Sequence, residues 1–237
     1  LRMSGIRSRA NRCRAATALW LLCSCSLAAA AAAPAAEEAA WRLEREADGI
    51  RVWTRPVADS RHRAIRARMI VAAPLEKIVG ILRDTDACRD WARYCAEARV
   101  HERLGEAEAY VYTLNDMPWP LADRDVVSRV RWHEEPETGV VHMDAEATEG
   151  VVERTPGRVR LTDASSHWTL RPRPDGRLEV TTEAHIEPAG PVPAWITNRL
   201  LVDAPFRTMQ QLRALAGETG PEGAGSGDQP TTGPSTR

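Results

Sequence analysis

The chain has 237 residues, of which 43% are hydrophobic, enough to bury a sizeable core, and its formal net charge is −1. Five of the 32 basic residues and none of the 33 acidic ones lie within residues 1–36, so the remainder carries 27 basic against 33 acidic residues, near −6. An acidic domain of this kind excludes nucleic acid as a partner, because phosphate neutralisation needs a basic face.

Residues 1–36 have the layout of a secretory signal peptide. Arg2, Arg7, Arg9, Arg12 and Arg14 form a basic n-region, Ala15 to Ala33 is an apolar run, and small residues up to Ala36 precede Glu37 and Glu38. This predicts cleavage at an A-x-A site. A membrane anchor needs roughly 20 strongly apolar residues, and nearly half of this run is alanine, only weakly apolar. A second reading takes Leu22-Cys23-Ser24-Cys25 as a lipoprotein box acylated at Cys25, although Cys23 is unusual at its place. Both readings predict export, to a periplasm or the medium.

Along residues 37–216, period-2 alternation dominates. LEREADGIRVWTR at 43–55 reads as extended chain. AIRARMIVA sets Ile65, Ala67, Met69 and Val71 against Arg66 and Arg68. Pro74 opens the first helix, PLEKIVGILRDT, with Leu75, Ile78, Val79 and Leu82 on one stripe. EAYVYTLND follows as a strand. DVVSRVRWHEE then sets Val126, Ser128, Val130 and Trp132 against Arg129, Arg131 and His133. VVHMDAEAT places Val141, Met143, Ala145 and Ala147 opposite His142, Asp144 and Glu146. SSHWTLRP is a further strand, and Pro172-Arg173-Pro174-Asp175-Gly176 turns the chain. RLEVTTEAHIEP sets Leu178, Val180, Thr182, Ala184 and Ile186 against Glu179, Glu183, His185 and Glu187. One-sided alternation marks an antiparallel sheet with one wet face.

A second helix starts in GPVPAWITNRLL, with Pro193 in its first turn and Ile196, Leu200, Met209, Leu212 and Leu215 as its stripe. Pro205 removes one backbone hydrogen bond and predicts a kink near Leu201. Residues 217–237, rich in Gly, Pro, Ser and Thr, predict disorder. The result is one α+β domain, expected as a monomer, whose sheet buries itself against the terminal helix. Ser128, Ala145, Ala147, Thr182 and Ala184 are small inward residues. They either let the helix approach closely or leave space beneath it.

Cys88 and Cys95 are the two cysteines left after the leader. Seven residues of unbroken helix would hold them about 10 Å apart, too far to bridge. A disulfide therefore requires the chain to leave the helix between them; two separate buried thiols is the other reading. No CxxC pair or histidine pair supplies four zinc ligands.

Three stretches, LEREADGIRVWTR, PWPLADRDVVSRVRW (118–132) and HIEPAGPVPAWITNRLL (185–201), together resemble the START (StAR-related lipid-transfer) domain in its bacterial exported form. The resemblance covers roughly residues 41 to 215. It implies a helix-grip (START/Bet v 1-like) fold, a curved antiparallel sheet wrapped around a long C-terminal helix with a tunnel for an apolar ligand. It also implies a binder of lipid, sterol or similar molecules rather than an enzyme, with gating loops beside the terminal helix.

Candidate cavity-lining residues are Arg124, Trp132, Met143, Ala145, Trp168, Val180, Ala184, Ile196 and Leu200; Trp132, Met143 and Trp168 either line the pocket or are simply core. Arg124 and Asp125 are adjacent on a strand and point to opposite faces; either one anchors a polar ligand end, or both make structural bonds. Trp195 reads as an anchor for the helix start and Asn198 as bonded to backbone. Arg61, Arg63, Arg66 and Arg68 either touch anionic headgroups in transient membrane-surface contact or form a solvated strand face. His133, His142 and His185 lie on outward faces as solvated side chains, and no metal or other cofactor is called for. GxSxG, a Cys–His pair and GxxxxGK are all missing from the sequence. Two function classes remain: a non-catalytic carrier of an apolar ligand, and a cyclase-type enzyme using the same cavity for acid–base chemistry.

Overall fold

The computed structural model describes residues 41–189, 192 and 199–217. The leader with Cys25, the tail beyond Gly217, and Trp195, Ile196 and Asn198 lie outside the described residues. Ten strands form one sheet: β1 (Arg42–Ala47), β2 (Ile50–Arg55), β3 (Ala64–Val71), β4 (Cys95–Arg103), β5 (Glu108–Asn115), β6 (Arg124–Glu135), β7 (Val140–Ala147), β8 (Val159–Leu161), β9 (Ala164–Pro172) and β10 (Leu178–Ile186). Their order is β1-β2-β3-β10-β9-β7-β6-β5-β4. Every neighbour on that path is antiparallel, but β8 adds to β6 in parallel, pairing Arg124 with Val159. The alternation pattern did not indicate that parallel pair.

Cross-strand register puts the predicted inward residues on one face. Val180 lies opposite Met69 and Leu170, Thr182 opposite Ala67 and Trp168, and Trp132 opposite Met143. Two helices pack on this face, α1 (Leu75–Arg83) and α3 (Ala204–Leu215). α1 starts directly after extended Pro74, which has no N–H to leave unpaired, and buries Ile78 and Leu82. α3 buries Phe206, Met209 and Leu212 against Met69, Val180 and Leu170. Each of these three side chains contributes roughly 1.5–3 kcal/mol of transfer free energy on burial. Leu215, expected in the stripe, is 41% exposed at the helix end.

Pro205 does not kink a continuous helix. It sits in the first turn of α3, where its missing donor costs little. The irregularity falls just before it, in a π-helical turn, Arg199–Asp203.

A single helical turn, α2 (Cys88–Trp91), ends as Ala92 becomes extended. Tyr94 then takes a left-handed φ of 74°, and Cys95 opens β4. This exit from the helix brings the cysteines to a Cα separation of 5.9 Å, joined as a disulfide.

The outer face is not bare. Arg66 pairs with Glu183 at 2.8 Å and Arg68 with Glu179 at 3.9 Å, so these two of the four arginines are ion-paired across β3 and β10. Under the connection between β7 and β8, Tyr112, Leu114 and Val127 form a second apolar cluster covered by Val151 and Val152.

Candidate ligand cavity

Between the inner face and the π-helical turn lies a cavity of about 230 Å³. Its floor is Ile65 of β3, Ala184 and Ile186 of β10, and Asn115 and Arg124 of β5 and β6. Leu200, Leu201 and Ala204 roof it, and Arg93 and Tyr94, in the turn between α2 and β4, form a wall. The left-handed backbone at Tyr94 is unusual for a bulky residue and is fixed by Asp116, whose N–H donates to the Tyr94 carbonyl at 2.9 Å. The Arg93 N–H donates to Thr208 Oγ1 at 3.0 Å, which ties this wall to α3.

Of the candidates read from sequence, Arg124, Ala184 and Leu200 line this cavity. Trp168 and Val180 are instead buried in the solid core, and Trp132 and Met143 pack against it. Ala145 shares the inner face, half-buried, without lining the cavity. Trp168 meets Trp91 edge to face with ring centroids 5.9 Å apart, which accounts for an aromatic there without a ligand. The alternation identified the correct face but did not indicate which part of it is hollow. Tyr94, Met117 and Leu161 were not singled out, because loop and edge positions carry no periodic signal.

Arg124 and Asp125 do point apart, and their surroundings differ. Asp125 is 1% exposed on the outer face and accepts two bonds from Arg160, each 3.0 Å. Arg160 also donates to the carbonyls of Val152 and Glu153, and its bonds to Asp125 raise its pKa. This pair fastens the β7–β8 connection over the second apolar cluster. Arg124 is 5% exposed and donates from Nε to the Pro188 carbonyl (3.2 Å) and from Nη1 to the Ala122 carbonyl (2.7 Å). Burial lowers its pKa, and no carboxylate among the described residues pairs with it.

At the rim, Ser60 Oγ donates to Glu187, while His62 and His185 approach the same carboxylate at 3.7 and 3.5 Å. His185 Nε2 faces both Ser60 Oγ and Glu187, so one nitrogen would have to serve both partners. A Ser–His–acid relay needs the two ring nitrogens to serve different partners.

The outer-face histidines are not isolated solvated side chains. His133 stacks on His142 at 4.6 Å and His142 on His167 at 5.2 Å, with Glu135 bonded to His142 and Asp144 to His167. Hydrogen bonds from Thr138 and His142 hold the Glu135 carboxyl below its ordinary pKa. Among the described residues, no three His, Cys, Asp or Glu side chains are placed to hold a metal ion.

A curved antiparallel sheet closed by a C-terminal helix, with a cavity under the start of that helix, defines a helix-grip protein built around an internal binding space. The chain belongs to the START domain family, whose model matches residues 22–219. It is similar to a STAR-related lipid transfer protein from Xanthomonas axonopodis, at 31% identity and a TM-score of 0.69 over 76% of this chain and 99% of that one. It is 33% identical to the uncharacterized protein PA1579 of Pseudomonas aeruginosa over 74% of this chain and 86% of the relative. Human StAR-related lipid transfer protein 5 shares the fold at 18% identity, with a TM-score of 0.69 over 78% of this chain and 92% of that one.

Proposed function

We propose that the protein binds and carries an apolar or amphipathic ligand, a lipid, sterol or similar molecule, in the cavity beneath the π-helical turn, without catalysing a reaction on it. The observation that carries this reading is an apolar hollow, walled by Ile65, Leu161, Ala184 and Leu200, within a fold shared with the STAR-related lipid transfer protein of Xanthomonas. The cyclase-type alternative needs a general base and acid converging on the ligand. Among the described residues, the polar groups lining the cavity are His62, Tyr94, Asn115 and three arginines, with no carboxylate among them. Ser60, His185 and Glu187 are engaged with one another at the rim. That supports a carrier.

Loading from a membrane surface completes the proposal. Trp119 is 85% exposed in the turn between β5 and β6, two residues from Met117, which lines the cavity. A tryptophan at that position suits the headgroup region of a bilayer, where its ring has one apolar and one wet side. No helix among the described residues is long and apolar enough to cross a membrane. We place the protein outside the cytoplasm, as a monomer released from its leader near Glu37 or held through Cys25.

Mass spectrometry of the protein purified from its native host tests both parts. A co-purifying apolar molecule and an intact mass starting near Glu37 are expected. An empty, unprocessed chain that takes up no lipid or sterol probe overturns the proposal.

A further inference from the structure

The carrier reading leaves one feature of the cavity without a role. Arg124 is a buried guanidinium that lines the hollow, and both of its hydrogen bonds go to main-chain carbonyls, which are neutral. A buried charge without a counter-charge is costly, so folds pair such charges or leave them facing a partner. One residue further along the same strand, the fold does pair them: Asp125 meets Arg160 through two 3.0 Å bonds. Burial depresses the pKa of Arg124, with no carboxylate among the described residues to offset it. Arg63 and Arg93 also line the cavity; Arg63 donates to Thr54 Oγ1 and Arg93 lies over the Tyr94 ring. Neither pairs with a carboxylate among the described residues. The carboxylate at the rim, Glu187, is taken up by Ser60, His62 and His185.

We infer that the occupant is a single-chain amphiphile with an anionic head, a carboxylate or a phosphate, held by Arg124 and flanked by Arg63 and Arg93. This rests on the carrier reading and narrows it. The head takes the end of the cavity nearest Arg124 and Asn115, where a buried guanidinium offers planar, charge-assisted donors. The chain lies along Ile65, Ala184 and Leu200. A single chain follows from size: 230 Å³ is below the roughly 300–1,000 Å³ of pockets for drug-sized ligands.

The test is displacement of the neutral dye Nile red from the protein by decanoate, decyl phosphate, decanol and inorganic phosphate. Decanoate or decyl phosphate is expected to displace the dye at roughly ten-fold lower concentration than decanol, and the tighter of the two identifies the head. Inorganic phosphate alone is expected to leave the dye bound and to show no heat of binding in calorimetry. In Arg124→Gln the ratio between acid and alcohol should fall to about one while decanol still displaces the dye. If that variant does not fold, by circular dichroism, the wild-type ratio and a lowered ratio in Arg93→Gln decide. Decanol equal to both acids overturns the anionic head and leaves the carrier standing. Calorimetric binding of inorganic phosphate as tight as that of decyl phosphate overturns the amphiphile in favour of a free anion. An unchanged ratio in folded Arg124→Gln removes the role of that residue. No dye uptake and no binding of any chain overturns the carrier reading itself.

Discussion

The two ends of the interface between α3 and the sheet are built differently from the same kind of face. Toward the C-terminus of the chain, Phe206, Met209 and Leu212 fill the space over Met69, Leu170 and Val180 with essentially no exposure. Toward the π-helical turn, Leu200, Leu201 and Ala204 stand over Ile65 and Ala184 and leave a hollow of about 230 Å³. The strands running under both ends are continuous, with Ile65 and Met69 on one strand and Ala184 and Val180 on another. What changes is the roof. A regular α-helix presents a closely spaced stripe, whereas a π-helical turn widens the coil, and such turns recur at functional sites. One element therefore supplies stability at one end and capacity at the other.

Truncation should separate the two ends most clearly. Phe206→Ala removes a fully buried ring and should cost about 3–5 kcal/mol, measured by urea unfolding at constant m-value. Leu200→Ala removes a half-buried side chain beside existing space and should cost about 1 kcal/mol or less while changing ligand affinity. Equal losses at both sites would mean that the interface is uniformly packed.

Arg124 and Asp125 bring the same contrast down to neighbouring residues. Asp125→Asn leaves the Arg160 guanidinium buried without its counter-charge and should destabilise by about 3–5 kcal/mol. Arg124→Gln removes a charge that no carboxylate among the described residues balances, so its stability loss should be clearly the smaller of the two in the same unfolding assay. The reverse ranking would make Arg124 the structural residue of the pair.

Much of this was legible in the sequence, and the limits have physical causes. Alternation assigns a residue to a face, which is why Met69, Val180 and Ala184 fall on one side and Arg124 and Asp125 on opposite sides. It does not indicate what stands over that face. Whether Ala184 touches a helix or a void depends on the π-helical turn, a tertiary feature. Strand β4, CAEARVHER, was missed because it is a sheet edge whose residues are partly exposed on both faces, so charge appears on each. Strand β8 has three residues, too few for any period, and its place beside β6 is fixed by the buried bond between Arg160 and Asp125. The helix stripe was read without Phe206, although that residue fills the core. The outer-face apolar cluster was missed for a related reason: Tyr112, Leu114 and Val127 sit on what a one-sided pattern treats as the wet face.

The disulfide belongs to the hollow end, because Cys95 is next to Tyr94 in the cavity wall. Closing a loop with a sequence separation of 7 should stabilise by about 2–3 kcal/mol at most. Non-reduced protein should show neither Cys88 nor Cys95 as a free thiol. Cys88→Ser with Cys95→Ser should lower the unfolding midpoint by the corresponding amount and weaken ligand retention through the loosened wall. Two titratable thiols in the oxidised protein would remove the tether.

The smallest stability effect should come from adding volume, and it discriminates the two ends directly. Ala67 and Ala184 lie on the same inner face, opposite Thr182 and Ile65 of the neighbouring strand. Ala67 is fully buried in the solid core, so Ala67→Phe has no room for its ring and should cost typically 1–3 kcal/mol as neighbours shift. Ala184 faces the cavity, so the ring of Ala184→Phe enters existing space and should change stability by less than about 0.5 kcal/mol. The functional ranking inverts: Ala184→Phe should abolish uptake of a fluorescent lipid or sterol, whereas Ala67→Phe should keep it as long as the fold survives. Thermal unfolding and dye uptake on the two variants read both effects. If Ala184→Phe destabilises as much as Ala67→Phe and leaves uptake intact, the ligand lies elsewhere and the space under the π-helical turn is not its site.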